Sequence, residues 1–317
     1  MTITINTGVN VGNGITIDGP IGQPVLPAAS PGVWNAVAYG NGTYVAVASA
    51  TTPGVDKAAY CLDGTNWVAS TLPSSRNWFS VAYGNGVFVA TALGPTNAGA
   101  ISSNGITWTA TTLPASDSWT QIAFGNGIFV VIGDTNNVTA VSSDGINWSS
   151  GTLPAAGQWV GLAYGGGIFV AITSGAITAV SSDGISWTQG TITDSDWSAV
   201  TYGNGVFVAV DENVSFSRTA ASSNGLTWTP GTSDNDIGYR CVAYGNGQFI
   251  ALPWLATGGV ATTTAKKSTN GTTWTRFELP AAASYLDITF GQDSYRGFAG
   301  VGGNTSAVFS RDGTTWY

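Results

Sequence analysis

The sequence contains no histidine, nine Lys and Arg together, one methionine and two cysteines in 317 residues. Each scarcity excludes something. Without histidine the chain lacks the usual general base and the commonest metal ligand, so neither a metal nor a cofactor is expected. Only 8% of residues are charged and the formal net charge is −8. Nucleic acid is therefore not an expected partner, because phosphate neutralisation needs clustered cations. No run is long and apolar enough for a bilayer-spanning helix, so no membrane insertion is expected. The opening residues, MTITINTGVNVGNGITIDG, have neither the basic start nor the apolar run of a signal peptide; export would use another route, and a virion component would need none. Cys61 and Cys241 fall in different repeats and nothing in their spacing pairs them, so a disulfide between them is not favoured, and sequence leaves open whether they are free.

What the chain has instead is 44 Gly, 13 Trp, 12 Phe and 11 Tyr. Aromatic and β-branched residues among so many glycines specify short strands and tight turns. Helix-period apolar faces are absent.

Two motifs alternate along the chain without exception. Seven anchors run VAYGNGTYVAV, VAYGNGVFVAT, IAFGNGIFVVI, LAYGGGIFVAI, VTYGNGVFVAV, VAYGNGQFIAL and the weaker ITFGQDSYRGFAGV. Seven boxes such as SSDGINW (142–148) end in Trp67, Trp108, Trp148, Trp187, Trp228, Trp274 and Trp316, spaced 39 to 46 residues apart. A period near forty with four strand-like segments per unit predicts an all-β, seven-bladed β-propeller of four-stranded antiparallel blades. The blades occupy residues 32–317, preceded by an extended N-terminal arm over 1–31. In the third unit the strands are expected at SWTQIAFG, IFVVIGD, VTAVSS and INWSSGT. Asn126-Gly127 and Asp144-Gly145 are read as two-residue type I′ turns.

The box, through Ser142, Asp144, Gly145 and Trp148, resembles the Asp-box of sialidase-type propeller repeats. It is a shortened variant, since Asp or Asn directly precedes Gly, and Cys61 replaces the first box serine. In that family the box is a structural turn remote from the active site. The resemblance thus implies fold, with Asp63, Asn104, Asp144, Asp183, Asn224, Asn270 and Asp312 as turn residues. The family's arginine triad, Tyr–Glu nucleophile pair and acid/base Asp have no evident counterpart among Arg76, Arg218, Arg240, Arg276, Arg296, Arg311, Glu212 and Glu278. No catalytic residue is assigned, and a non-enzymatic chain is expected, with a sialidase-type hydrolase as the last alternative. A Glu212/Arg218/Arg240 cluster on adjacent blades is conceivable, more simply as a solvated ion pair.

Antiparallel blades place the Asn-Gly and box turns on one face of the disc and the variable connections on the other. Recognition is expected on that variable face. Five residues before each anchor aromatic stands Trp34, Trp78, Trp119, Trp159, Trp197, Tyr239 or Tyr285, at the start of the innermost strand. Such a ring either packs between blades, the favoured reading, or stacks on sugars around the channel mouth. Trp254 belongs to neither series and sits in the longest insertion with Lys266 and Lys267. It is the best single candidate for a partner contact, and Arg240 is counted among the candidate binding residues of the same face. Asn137 and Asn213 lie in glycosylation sequons, as Asn-rich turns produce by chance.

The last unit stops at Tyr317, while VLPAASPGVW (25–34) resembles the TLPAAGQW that leaves the third box. Residues roughly 14–27 either extend the outer edge of the last blade and close the ring or form a simple linker. The arm also has a weak likeness to the openings of bacteriophage structural proteins. The combined expectation is a structural and adhesive propeller of a virion or extracellular surface. Its partners would be other virion or surface proteins, reached through the arm, and possible host glycans; a lectin-like bacterial surface propeller is the alternative.

Overall fold

The computed structural model describes residues 9–11, 15–17, 24–50, 54–134, 137–232, 237–256, 258–292, 297–303 and 305–317. Among these, every regular element is a β-strand and every sheet is an antiparallel succession in chain order. Four sheets have four strands each, beginning at Trp119–Gly125, Trp159–Gly165, Trp197–Gly203 and Ile237–Gly245. A further sheet of three strands comprises Asp287–Gly291, Gly297–Gly302 and Ser306–Ser310. The remaining large sheet, from Val33–Gly40 to Thr109–Asp117, has seven strands. It is continuous because one 18-residue strand, Trp67–Gly84, serves two neighbours. Its first part pairs with Val55–Cys61 and its second, from Asn77, with Val87–Leu93.

The anchor motif explains how the sheets stack. Its Asn-Gly pairs are two-residue hairpin turns: Gly125 faces Ile128, and Asn126 and Gly127 take φ of 51° and 77°. Both positions are left-handed, the condition of the type I′ turn. The glycine before the turn has a different role. A Cβ on Gly40 would fall on the Tyr83 ring of the next anchor, and one on Gly291 would meet Tyr39 of the first. The residues after the turn form a strand such as Thr43–Ser49, buried at all seven positions. It is covered on both faces, so its apolar run is continuous rather than alternating. The core therefore lies between sheets. Ala163, Val170 and Ile172 of one sheet pack with Trp197, Val200 and Phe207 of the next.

The box departs from the two-residue turn expected of it. Val141 pairs with Ser149 and Ser142 ends its strand opposite Phe129, so residues 143–148 belong to the loop and the outer strand is only Ser149–Thr152. Only Gly145 has a positive φ there; Asp144 does not. The loop is held by side chains instead. Asp144 Oδ1 accepts the N–H groups of Ile146 and Asn147 at 2.8 Å each, and Ser142 Oγ accepts that of Gly145 at 2.9 Å. Those N–H groups hold the Asp144 carboxyl well below the usual carboxylate range. Asn104, Asn224, Asn270, Asp183, Asp312 and Asp63 repeat the arrangement.

At the three-stranded sheet the outer position is shared. Val25 makes an antiparallel bridge to Ser306 and a parallel bridge to Asn66 of the first box. Tyr317 exchanges two backbone hydrogen bonds with Phe309, 3.0 and 3.2 Å. Thr152 makes the same kind of double connection, pairing with Val138 in its own sheet and bridging Ser186 in the next box. Leu26 is 1% exposed, as buried as Leu72 and Leu113 at 2% after their own boxes. Ile15–Ile17, which one of the two readings of the arm set along this edge, pairs with Val9–Val11 in a separate two-stranded sheet. Residues 1–8, 12–14 and 18–23 of the arm, and Arg296, lie outside the described residues.

Candidate functional site

The innermost strands surround a channel of about 760 Å³. For the aromatic ring near its opening away from the Asn-Gly turns, sequence left two readings: packing between blades, the favoured one, or a stacking surface for sugars. The burial of the ring agrees with the first. Trp34, Trp78, Trp119, Trp159, Trp197, Tyr239 and Tyr285 are all between 0% and 2% exposed. Each indole N–H donates to a backbone carbonyl: Trp34 to Pro27 (2.9 Å), Trp78 to Ser74 (3.0 Å), Trp119 to Thr96 (3.0 Å), Trp159 to Ala155 (3.3 Å) and Trp197 to Thr193 (3.1 Å). Large rings whose polar tips are satisfied internally stabilise the stacking of the sheets. They offer no face to a sugar.

Trp254 and Arg240 fare differently. Sequence placed Trp254 in a loop, but it lies in the strand Gln248–Ala256 and is partly exposed. Gly238 pairs with Leu255, Tyr239 with Pro253 and Cys241 with Leu252, so Trp254 and Arg240 are the two residues skipped by the ladder. A bulge re-aims the side chain it carries. Here two bulges bring the Arg240 guanidinium over the Trp254 ring, 4.8 Å from its centroid. The same guanidinium donates to Glu212 Oε2 at 2.6 Å. Both side chains remain 34% and 40% exposed, so the pair orders the surface more than it stabilises the fold.

Glu212 belongs to a neighbouring loop that sequence reasoning brought only partly into view. Its N–H donates to the carbonyl of Asp196 (3.1 Å), and Asn213 Nδ2 donates to the Asp196 carboxylate (2.8 Å). Asp194 and Asp196 hold φ of 72° and 71°, an unfavourable region for these residues. Arg218 reaches Asp194 at 3.5 Å and Asp211 at 3.6 Å, and its guanidinium lies 5.1 Å from the ring of Phe216, which is 55% exposed. Arg218 and Arg240 thus each stack on an aromatic ring. Arg311 stands in a box turn and Arg276 on an outer strand, so the described arginines do not converge on one pocket.

Beneath the loop is a buried charged group that no sequence signal singled out. Lys266, expected in a loop, lies in the strand Thr262–Ser268 and is 0% exposed. It stands two residues before the box serine, where other copies carry Ala100, Ala140, Ala179 and Ala220. Its Nζ sits 3.9 Å from the Tyr239 ring centroid and 3.5 Å from Ser217 Oγ. Asp211, also 0% exposed, accepts the Arg218 N–H at 2.9 Å. Burial pushes its carboxyl up to about 7, against the pull of that N–H and of the Lys266 and Arg218 charges. Comparison of the seven copies would have flagged a lysine in an alanine column.

The channel wall carries its own carboxyl. Asp287 Oδ2 accepts the Val37 N–H at 2.8 Å, joining the last inner strand to the first, and burial pushes it up to about 7. Cys241 is buried in the same wall, and burial raises its thiol well above the ordinary value. Cys61 is free as well, its thiol pushed up to about 12 by burial. Both are inert by the criterion of thiolate content.

No family model and no curated protein matches this sequence. Solved structures do. A structure described as YCF48 bound to D1 peptide superposes with a TM-score of 0.67 at 16% identity, covering 95% of this chain and all of that one. Virginiamycin B lyase from Staphylococcus aureus gives 0.69 at 13% identity, covering 85% and 94%. The WD40 propeller domain of Doa1 gives 0.62 at 12%, covering 91% and 96%. The fold is a β-propeller. These identities establish the fold alone and leave the Asp-box assignment on its motifs. They also correct the expectation of a non-enzymatic chain, which rested on missing counterparts to sialidase catalytic residues: one of these neighbours is a lyase, so the fold itself accommodates enzymes as well as scaffolds.

Proposed function

We propose that this chain is a seven-bladed propeller that binds a polypeptide partner on the face bearing Trp254. The count of seven is supported by the seven anchors, with the long sheet read as two blades sharing Trp67–Gly84, and by the return of contacts from Gly291 to Tyr39. In this reading Val25 and Tyr317 together supply the outer strand of the seventh blade. Val25 then sits at the outer edge of the ring, and docking onto another protein is assigned to the arm that precedes it in sequence.

The observation that carries partner binding is the pair of bulges that set Trp254 against Arg240 and Glu212 at the channel opening. Trp and Arg are the residues in which binding energy concentrates, and both are pre-organised here. The peptide held by the YCF48 propeller shows that the fold accommodates such a ligand. A glycan platform loses its main support with the burial of the aromatic ring. Membership of a virion or extracellular surface assembly, with a host or structural partner, rests on the low charge, the composition and the arm.

Full-length protein probed in parallel on random-peptide and glycan arrays tests this. Peptide binding that Trp254→Ala removes, with melting temperature kept within a few degrees, is expected. Binding to glycans alone, unaffected by Trp254→Ala, would refute it.

A further inference from the structure

We infer that Asn41 and Asn126 are sites of spontaneous succinimide formation, where the chain converts asparagine to aspartate and isoaspartate, while the fold protects its other described Asn-Gly pairs. Five such pairs stand in described hairpin turns and three in boxes. Glycine has no side chain to hinder its own nitrogen, so each pair is open to the reaction by sequence. At Asn126 the Gly127 nitrogen bonds to Cγ, the Cγ–Nδ2 bond breaks, and Nδ2 leaves as ammonia with the proton that the nitrogen gives up. Water then opens the five-membered ring. Attack at Cγ breaks its new bond to nitrogen and yields aspartate. Attack at the backbone carbonyl carbon breaks the original peptide bond and yields isoaspartate.

The reaction needs an unbonded glycine nitrogen, a carboxamide able to swing over it, and room for the peptide plane to turn. The boxes deny all of these. The N–H groups of Gly105, Gly225 and Gly271 donate to the box serine Oγ at 2.9, 2.8 and 2.8 Å. Asn104 Oδ1 is fixed on the N–H groups of Ile106 and Thr107 at 2.9 and 3.0 Å. A Cβ on Gly105 or Gly271 would stand 2.4 or 2.3 Å from a valine methyl, so the peptide is packed in place.

The hairpin asparagines are all exposed and share φ between 46° and 51°, so neither exposure nor backbone conformation ranks them. Their side-chain tethers do. Asn85 Nδ2 donates to the carbonyls of Gly127 (2.9 Å) and Ser143 (2.8 Å), Asn246 Nδ2 to that of Arg311 (2.7 Å) and Asn204 Nδ2 to that of Thr269 (3.3 Å). Among the described residues the Asn41 and Asn126 carboxamides have no such tether, and a Cβ on Gly42 or Gly127 would meet nothing within 4 Å. Each tether must break before attack, which slows it by about two- to tenfold. Isoaspartate at 126 lengthens the main chain inside a two-residue turn whose flanks, Gly125 and Ile128, face each other directly. Each conversion also adds a negative charge to a chain already at −8.

The test warms full-length protein in oxygen-18 water at mildly alkaline pH, beside a sample kept unfolded in guanidinium. Peptic digestion and mass spectrometry locate the label, and electron-transfer fragmentation separates isoaspartate from aspartate. In the folded chain Asn41 and Asn126 should convert about tenfold faster than the doubly tethered Asn85, with the box asparagines slowest. In the unfolded chain all of them should convert at similar rates. Equal rates at the five hairpins of the folded chain would overturn the assignment, as would a box asparagine converting ahead of Asn126. So would intact Asn41 and Asn126 after the unfolded sample has fully converted.

Discussion

Leu26→Ala offers the sharpest test of how the ring is closed. Leu26 is 1% exposed and packs with Trp34, Val301 and Phe309, residues drawn from the first and last sheets. If the segment around it is structural, removing the isobutyl group loses its transfer free energy and opens a cavity between sheets that cannot collapse without moving Trp34. Fully buried leucines cost about 2–5 kcal/mol on such truncation. The neighbouring Val25 is the internal control. Its side chain is 60% exposed, so Val25→Ala keeps the backbone bridges to Ser306 and Asn66 and should change stability by less than about 0.5 kcal/mol. Guanidinium unfolding followed by tryptophan fluorescence separates the two, because the midpoint moves while the slope stays constant when only the native state is affected. Melting should shift by roughly 2 °C for each kcal/mol in a domain of this size. Deleting residues 1–28 should cost at least as much as Leu26→Ala, since it also removes the Pro27 carbonyl that accepts the Trp34 indole and the Ala28 carbonyl that accepts Lys57. Equal midpoints for Leu26→Ala, Val25→Ala and wild type would refute closure by this segment.

Trp119→Ala should destabilise by about 3–5 kcal/mol, read from the same unfolding curve, because the ring is fully buried and its N–H is bonded to Thr96; an unchanged midpoint would return this ring to the list of binding surfaces. Lys266→Met should cost about 3 kcal/mol by leaving Asp211 buried with one cation fewer, and Asp211→Asn added to it should recover most of that loss. Asp287 binds its proton more tightly in the folded chain, near 7 against 3.8 unfolded, so its contribution is full below 3.8 and fades as pH rises from 4 to 7. Asp287→Asn should flatten the decline in melting temperature across that window. Asp144 works in the opposite sense: its carboxyl is held low, so its contribution is present above pH 4 and lost as pH falls below. Asp144→Ala should lower the melting temperature at pH 7 by a degree or two and blunt acid sensitivity.

Much of the fold was legible because its rules are local and repeated. A pair such as Asn126-Gly127 can satisfy two left-handed positions, and an apolar strand such as Thr43–Ser49 reads as doubly covered. The box was legible as a motif but not as a turn type. Its loop is held by the Asp144 carboxylate rather than by backbone geometry, and side-chain hydrogen bonds leave little trace in residue spacing. The candidate site was half visible. Trp254, Arg240 and Glu212 stood out as unrepeated residues, yet only paired bulges at Gly238–Cys241 and Leu252–Leu255 bring the first two face to face. The aromatic ring was legible for a related reason: packing between blades was its favoured reading, and its seven-fold repetition is the same packing problem solved in every sheet.

Sequence by itself therefore determined the repeat, the all-β composition, the Asn-Gly hairpins and the spacing of strands, since each depends on contacts within a few residues. Tertiary structure decided which aromatics are buried, where Lys266 ends up and how Val25 meets Ser306 and Asn66. Those outcomes depend on residues more than two hundred positions apart, or on adjacent sheets whose faces cover each other. No local propensity encodes them; they follow only once the sheets are stacked and each side chain has a neighbour.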